Sequence, residues 1–114
     1  MYNIVNGTYR HRYIYFIVES KEKQINIEKS EIINEIKQQC KNLFNKNCES
    51  MGIRLIIFNG KKGIVKCNHT EKENIINILR SIKKISSYDI EIMTIGTSGT
   101  IKTLIKKYIK NYPL

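Results

Sequence analysis

The chain has 114 residues and carries 20 lysines and arginines against 10 aspartates and glutamates, a formal net charge of +10. With 41% hydrophobic residues it is not a disordered chain, and its length suits one domain, residues 1–114, whose core needs neither disulfides nor a metal. No apolar run approaches the roughly 20 residues of a membrane span, and the charge favours a polyanionic partner such as nucleic acid over a merely soluble basic surface.

The first half of the chain predicts one strand and one helix. Residues 1–11 are polar and are expected to be flexible. Arg12–Val18 is aromatic and β-branched, and its nearly continuous apolar character predicts a central strand buried on both faces. Glu19–Gln24 is expected to be a loop. Ile27–Phe44 has apolar residues at helical spacing, which predicts a helix with one buried face.

A β-hairpin is predicted in the middle of the chain. Gly52–Phe58 and Ile64–Cys67 are apolar segments rich in β-branched residues. The segment between them begins with Asn59-Gly60, a pair typical of hairpin turns. The second and third strands are therefore expected to pair antiparallel.

A second helix and a fourth strand follow. Thr70 and Glu73 have the spacing of a capping box and predict the start of the helix. Ser86-Ser87 is expected to end it. Tyr88–Ile95 alternates between apolar and polar residues, which predicts a strand.

The last segment predicts a turn and a third helix. Gly96–Gly99 is expected to turn the chain, and Thr100–Ile109 has apolar residues at helical spacing. The predicted apolar face of this helix contains Ile101, Leu104, Ile105, Tyr108 and Ile109.

The element order predicts the fold class. A β-α-β-β-α-β order followed by a helix is that of an α+β, ferredoxin-like or RRM-like domain with an antiparallel four-stranded sheet and an additional C-terminal helix. Two helices would cover one face of the sheet. The third helix is expected either at the sheet edge or across the open face.

Cysteine usage predicts the compartment. Cys40, Cys48 and Cys67 are odd in number and show no C-x-x-C spacing, which predicts buried thiols in a reducing environment. The first residues lack the apolar stretch of a secretory signal. We therefore expect a cytoplasmic protein.

Candidate catalytic residues are few. Cys67 and His69 offer two metal ligands where a structural zinc site needs four, and both His11 and His69 are expected at the surface. The carboxylates Glu28, Glu31 and Glu35 alternate with lysines, which indicates a solvated helix face. No catalytic residue, metal site or cofactor is predicted for the chain itself.

Two features predict an anion-binding surface. The turn of Gly96, Ser98 and Gly99 leads into a helix, so its backbone amides could bind phosphate; alternatively it is a tight turn with Ser98 as N-cap. Lys102, Lys106 and Lys110 recur every fourth residue and are flanked by Lys107, and residues 92–114 contain no acid. This stripe is either a phosphate-binding surface or a solvated helix face.

Aromatic residues on the first strand allow two interpretations. Tyr13 and Tyr15 share one face of it, the position from which RRM domains stack bases. The third strand has no aromatic partner for them. The tyrosines either stack bases or pack under the third helix.

Three motifs carry a resemblance to a known family. Thr94–Lys102, with the sequence TIGTSGTIK, closely resembles the C-terminal signature of the ribonuclease P protein component 2 family, in which a T-[LI]-G-x-S-G-T-I-K pattern precedes a basic helix. Arg12-Tyr13-Ile14 resembles the start of that family's first strand, and Gly63–Lys66 its third strand. The resemblance covers about residues 10–110.

The resemblance implies a ferredoxin- or RRM-like subunit of ribonuclease P, which removes the 5′ leader from precursor tRNA. It implies that the RNA subunit and its Mg²⁺ perform the cleavage, and that the chain itself is noncatalytic. The implied partners are ribonuclease P RNA and protein component 3, in a two-plus-two heterotetramer, with precursor tRNA as substrate and no membrane. The residues expected to bind RNA are Arg10, Arg12, Lys61, Lys62, Lys66, Gly96, Ser98, Gly99, Lys102, Lys106, Lys107 and Lys110.

Two other functions remain open from the sequence. One is a small enzyme on the same fold, such as an acylphosphatase, which needs a phosphate loop beside an N-terminal arginine. The other is a ligand- or protein-binding module.

Overall fold

The computed structural model describes residues 10–22 and 24–109. Its strands are β1 (His11–Ser20), β2 (Arg54–Phe58), β3 (Lys62–Asn68), β4 (Lys84–Ile85) and β5 (Tyr88–Ser98). Its helices are α1 (Lys29–Phe44), α2 (Lys72–Ser81) and α3 (Ile101–Leu104), and a π-helical turn, Ile105–Ile109, continues α3.

The described strands form one antiparallel sheet in the order β2-β3-β1-β5-β4. The predicted central position of β1 is confirmed, since it pairs with β3 on one side and β5 on the other. Residues 14–18 of this strand are all buried, so both of its faces contribute to a core. A continuous apolar run suits only such a position, because each alternate side chain points to the opposite face.

One face of the sheet packs against α1 and α2. Ile14, Phe16 and Val18 of β1 join Ile32 and Ile36 of α1 and Ile75 and Leu79 of α2 in the larger apolar core. The apolar positions of both helices recur at three- and four-residue spacing, which places them on one side of each helix. The predicted two-helix layer is confirmed.

The other face packs against α3. Tyr15 and Ile17 of β1 and Ile64 of β3 form a second cluster with Leu104 and Ile109. The third helix therefore lies across the open face rather than at the sheet edge. Leu104 and Ile109 are five residues apart, which is the hydrogen-bond spacing of a π-helix, and both pack on the sheet.

The prediction that Ile105 faces the core is wrong. Its side chain is 48% exposed, whereas Leu104 beside it is fully buried. The expected stripe assumed α-helical geometry over all of Thr100–Ile109. With the π-helical turn, Leu104 and Ile109 become the residues of this segment that are buried against the sheet, and Ile105 is left on the outer side.

The end of the second helix was also predicted wrongly. Helix α2 stops at Ser81, five residues before the predicted end, and Lys84–Ile85 forms the short edge strand β4. Ser86 turns the chain with a φ of 57°, so that Ile85 pairs with Tyr88. Among the described residues the sheet thus has five strands instead of the predicted four, because Ile85 is buried as part of the first core.

The starts of α1 and α2 differ from the prediction. Thr70 lies in a 3₁₀ turn, His69–Glu71, and α2 begins at Lys72. The capping-box interaction is found instead at α1, where the backbone amide of Glu28 donates to Oε1 of Glu31 at 2.8 Å. Glu28 and Glu31 therefore start the helix; Glu28 is exposed, whereas Glu31 and Glu35 are half-buried.

Three strands, β1, β3 and β5, extend beyond the prediction. His11 already pairs with Asn68, so only residues 1–9 of the segment predicted to be flexible lie outside the described residues. At its other end β1 continues to Ser20, which shortens the predicted loop. The hairpin between β2 and β3 is confirmed: Oδ1 of Asn59 accepts from the amides of Lys61 at 3.0 Å and Lys62 at 2.7 Å.

Candidate nucleic-acid interface

The segment predicted to be a glycine-rich turn is mostly strand. Gly96 and Ser98 belong to β5 and pair with Tyr15 and Tyr13 of β1, so only Gly99 and Thr100 connect β5 to α3. Thr100, not Ser98, is the N-cap, because its Oγ1 accepts from the amide of Thr103 at 3.2 Å. The hydroxyl of Ser98 accepts from the amide of Thr100 at 3.3 Å.

These hydrogen bonds weaken the case for a phosphate site at the turn. Two amides at the start of α3, those of Thr100 and Thr103, already donate to hydroxyl oxygens of the chain. The α-helical part of α3 has only 4 residues, so its dipole is small. The tight-turn alternative with Ser98 as N-cap is wrong in its details, since the connection is confined to Gly99 and Thr100 and Thr100 is the cap. Anion binding by the remaining backbone amides stays a prediction.

The two glycines of the segment have packing roles. A Cβ atom at Gly96 would lie 2.4 Å from Cε1 of Tyr108, so the tyrosine ring rests directly on the glycine. A Cβ atom at Gly99 would lie 2.9 Å from Nη1 of Arg12, which places the guanidinium against this turn. The predicted site residues Arg12, Ser98 and Gly99 are thus close together, whereas Gly96 is covered by an aromatic ring.

A row of polar side chains crosses four strands beside this turn. Arg54 of β2 pairs with Lys66 of β3, Lys66 pairs with Tyr13 of β1, and Tyr13 pairs with Ser98 of β5. Directly paired residues point to the same face of a sheet. We call Arg54, Lys66, Tyr13 and Ser98 the cross-strand row; it lies on the face that α3 covers, at the end where α3 begins.

Like charges stand side by side in the cross-strand row. Arg54 is exposed and Lys66 half-buried, and the two are opposite each other. Within the described residues the ion pairs are made by Lys46, Lys72 and Lys84, so neither cation of the row is neutralised in this way. Directly opposed like charges destabilise a sheet, and an anionic ligand would relieve that repulsion.

His11 lies at this end of the sheet and is held in its neutral form. It lies two residues before Tyr13 on β1, and burial, followed by the nearby positive charge of Lys66, lowers its pKa. Arg10 precedes it and is exposed, and its carbonyl oxygen accepts from the amide of His69 at 3.0 Å. The sequence prediction missed Arg54, because an irregularity between Leu55 and Ile57 shifts the hairpin register by one residue and brings Arg54 opposite Lys66.

The predicted lysines of the hairpin lie at the opposite end of the sheet. Lys62 pairs with Ile17, four residues along β1 from the Tyr13–Lys66 pair, a separation of about 13 Å at the usual rise of a strand. Lys61 is exposed at the turn, and its carbonyl oxygen accepts from the amide of Val18 at 2.7 Å. The structure therefore divides the predicted RNA-binding residues into two groups.

The lysines of the third helix project from its outer side. Lys102, Lys106 and Lys107 are exposed, and Lys110 lies outside the described residues. None of these three described lysines takes part in an ion pair with another described residue. Because Lys106 and Lys107 belong to the π-helical turn, the regular four-residue stripe predicted for the helix ends after Leu104.

The tyrosines of β1 pack under α3. Tyr15 is fully buried in the second cluster, and Tyr13 is partly buried against it. Of the two interpretations left open by the sequence, packing under the third helix holds for Tyr15. Tyr13 keeps part of its side chain accessible within the cross-strand row.

Side chains that could bind a metal do not cluster in the described part of the chain. No three His, Cys, Asp or Glu side chains there are placed to hold a metal ion. Burial raises the pKa of the Cys67 thiol to about 12, so it is protonated at neutral pH. Among the described residues, no helix is long and apolar enough to cross a membrane.

Comparison with known proteins identifies relatives of the chain. Residues 12–109 match the sequence model of the Rpp14/Pop5 family. The chain is 28% identical over 101 residues to a protein named ribonuclease P protein component 2 from Archaeoglobus fulgidus, covering 89% of this chain and 90% of that protein. It is 26% identical to the protein of the same name from Methanosarcina acetivorans, covering 89% and 75%.

A solved structure has a similar fold. The chain superimposes on a chain of the cryo-EM structure of yeast ribonuclease MRP with a TM-score of 0.62, covering 81% of this chain and 76% of that one. The sequence identity in this comparison is 10%, so the likeness concerns the fold alone.

Proposed function

Because the chain belongs to the Rpp14/Pop5 family, we propose that it is a protein subunit of ribonuclease P, the endoribonuclease that removes the 5′ leader of precursor tRNA. The relatives named ribonuclease P protein component 2 support this role, since the match extends over most of both sequences. The strand order β2-β3-β1-β5, with α1 and α2 on one face, supports the finer assignment of a ferredoxin-like fold.

The chain supports catalysis by binding RNA. The observation that carries this proposal is the cross-strand row, in which Arg54 and Lys66 oppose each other. The row lies at the end of the sheet where α3 begins, and the exposed Lys102 is in the first turn of that helix. Unpaired cations in such an arrangement are suited to the phosphate backbone. Arg10 and Arg12 lie at the same end and extend the surface.

The cleavage itself belongs to the RNA subunit, with Mg²⁺ bound to the RNA rather than to this chain. The protein would work with protein component 3 in a two-plus-two heterotetramer, in the cytoplasm.

Reconstitution tests the proposed role. Cleavage of a precursor tRNA is measured with the cognate ribonuclease P RNA and protein component 3, with and without this protein, at moderate Mg²⁺. We expect cleavage to depend on adding the protein. Equal cleavage rates in both mixtures would refute a supporting role.

A charge-removal pair tests the interface. The double variant Arg54→Ala, Lys66→Ala is compared with Lys37→Ala, Lys41→Ala, which removes the same charge from the exposed side of α1 on the other face of the sheet. If the row binds two phosphates, the slope of log K against log salt falls by about 1.4–1.8 for the first variant only. Equal slopes for the two variants would assign the effect to net charge instead of this site.

A further inference from the structure

Two thiols meet at the end of α1. Cys40 lies in the last turns of the helix, and Asn45 ends it in a left-handed conformation with a φ of 53°. The chain therefore folds back, the amide of Lys46 donates to the carbonyl of Cys40 at 3.4 Å, and Cys48 returns to the helix. The Sγ atoms of Cys40 and Cys48 are 3.4 Å apart, and both side chains are buried.

The two thiols differ in their access to solvent. Cys40 is fully buried, whereas Cys48 is 7% exposed and lines a surface cleft of about 300 Å³ between α1 and β2. Ile36 and Leu55 line the apolar part of this cleft, and Lys37 lines it as well. Cys48 is therefore the thiol of the pair that a small neutral oxidant in the cleft would meet.

We propose that Cys40 and Cys48 are a redox-active pair that hydrogen peroxide converts into an intramolecular disulfide. In the first step the Cys48 sulfur attacks one peroxide oxygen, the O–O bond breaks, and the products are the Cys48 sulfenic acid and one water. In the second step the Cys40 sulfur attacks the Cys48 sulfur, the S–O bond breaks, and a second water leaves with the thiol proton. Two thiols are oxidised by two electrons, and one peroxide is reduced to two waters.

The geometry favours the second step. The sulfur atoms must approach from 3.4 Å to the disulfide bond length of about 2.05 Å, a movement of roughly 1.4 Å. The carbonyl oxygen of Cys48 accepts from the amides of Met51 at 3.2 Å and Ile53 at 3.0 Å, which hold the backbone of the loop. The approach must therefore come mainly from rotation of the two cysteine side chains. The resolving thiol is already in contact with the attacked one, which limits further oxidation of the sulfenic acid.

The environment makes the first step slow at neutral pH. Burial raises the pKa of Cys48, and burial together with the hydrogen bond to Cys48 raises the pKa of Cys40 to about 12. The thiolate is the reactive form, so the rate of oxidation should rise steadily between pH 7 and pH 9. The Cys40 thiol and the nearby charge of Lys37 act against burial and stabilise the Cys48 thiolate, although the pKa of Cys48 stays above its ordinary value.

The test is oxidation of the purified full chain with graded hydrogen peroxide, followed by alkylation of the remaining thiols, intact mass and peptide mapping. Wild type and the control Cys67→Ala, which keeps the pair, should each lose two thiols and two hydrogen atoms and yield a Cys40–Cys48 linked peptide. Dithiothreitol should restore both thiols. Cys48→Ser and Cys40→Ser should form no internal disulfide, with folding checked by circular dichroism.

Peptide mapping of wild type makes the test independent of how the variants fold. A linked Cys40–Cys48 peptide that appears before any sulfinic acid supports the proposal. Stable sulfinic acid at Cys48, a bridge involving Cys67, or disulfides only between chains would each overturn it. The readout does not involve RNA, so a failure to form the disulfide would leave the proposed role in ribonuclease P intact. Likewise, a failure of the reconstitution experiment would not count against the disulfide.

Discussion

Single residues explain why the glycine–serine motif before α3 has its composition. Gly96 lets the ring of Tyr108 contact the sheet, Ser98 accepts from the amide of Thr100, and Thr100 caps the helix. Each of these residues fixes how α3 docks on the second face of the sheet. The motif was predicted as a possible phosphate loop, but its described contacts are structural.

The first prediction concerns Gly96→Ala. A Cβ atom would overlap the ring of Tyr108, which is held in the second cluster, so we expect a loss of about 1–3 kcal/mol in unfolding free energy. Gly99→Ala is the matched control, because its Cβ would meet only the end of the flexible Arg12 side chain. Urea denaturation measures both, and an equal loss in the two variants would contradict the docking role of Gly96.

The second prediction concerns alkaline stability. Burial raises the pKa of Cys67 to about 12 from its ordinary value of 9.0, so the folded state keeps this proton when the unfolded state loses it. The resulting stability is fully present below pH 9 and is lost as pH rises toward 12, with a slope of up to about 1.4 kcal/mol per pH unit. Denaturation at pH 8 to 11 should show a shallower decline for Cys67→Ala than for wild type; parallel curves would argue against a buried neutral thiol.

At the scale of the element, α3 shows that the spacing of apolar residues does not determine the hydrogen-bonding pattern of the helix. The apolar spacing of Thr100–Ile109 correctly predicted a helix with a buried side. It could not predict that the hydrogen bonding becomes π-helical after Leu104, because that choice depends on where the sheet presents Tyr15 and Ile64 for packing. The same limit applies to β4, whose two residues are too few to carry a period.

The third prediction tests the assignment within α3. Leu104→Ala removes a fully buried side chain and should cost about 2–5 kcal/mol of unfolding free energy. Ile105→Ala alters a side chain that is 48% exposed, and it should change the unfolding free energy by no more than about 1 kcal/mol. Thermal or urea unfolding of the two variants distinguishes a continuous α-helix from an α-helix that ends in a π-helical turn. In the continuous α-helix both side chains would be buried, and both substitutions would lower the unfolding free energy by a similar amount.

For the whole molecule, the sheet separates two environments. One face is closed by α1 and α2, and the other carries α3, the cross-strand row and the exposed lysines. The formal net charge of +10 is a property of the sequence, but its concentration near α3 arises because β2, β3, β1 and β5 pair in a particular register. A single basic surface is thereby assembled from residues that are distant in the chain.

The fourth prediction follows from this surface. Replacing Lys102, Lys106 and Lys107 together with alanine should lower the salt slope of RNA binding by about 2–3, if each lysine contacts one phosphate. The lysines are exposed, so stability should change little. Filter binding at several salt concentrations measures the slope, and a wild-type slope in the triple variant would show that this side of α3 is a solvated face.

The sequence alone determined the class of fold, the main elements and the family. Local patterns were sufficient because β1 is apolar on both faces, the Asn59-Gly60 pair specifies a hairpin, and α1 and α2 each carry one apolar side. Only the tertiary structure decided which face α3 covers, that Thr100 caps it, and that Arg54 stands opposite Lys66. The contact between Cys40 and Cys48 was likewise invisible in the sequence. These features depend on strand register and chain reversal, which bring distant residues together and leave no local periodic signal.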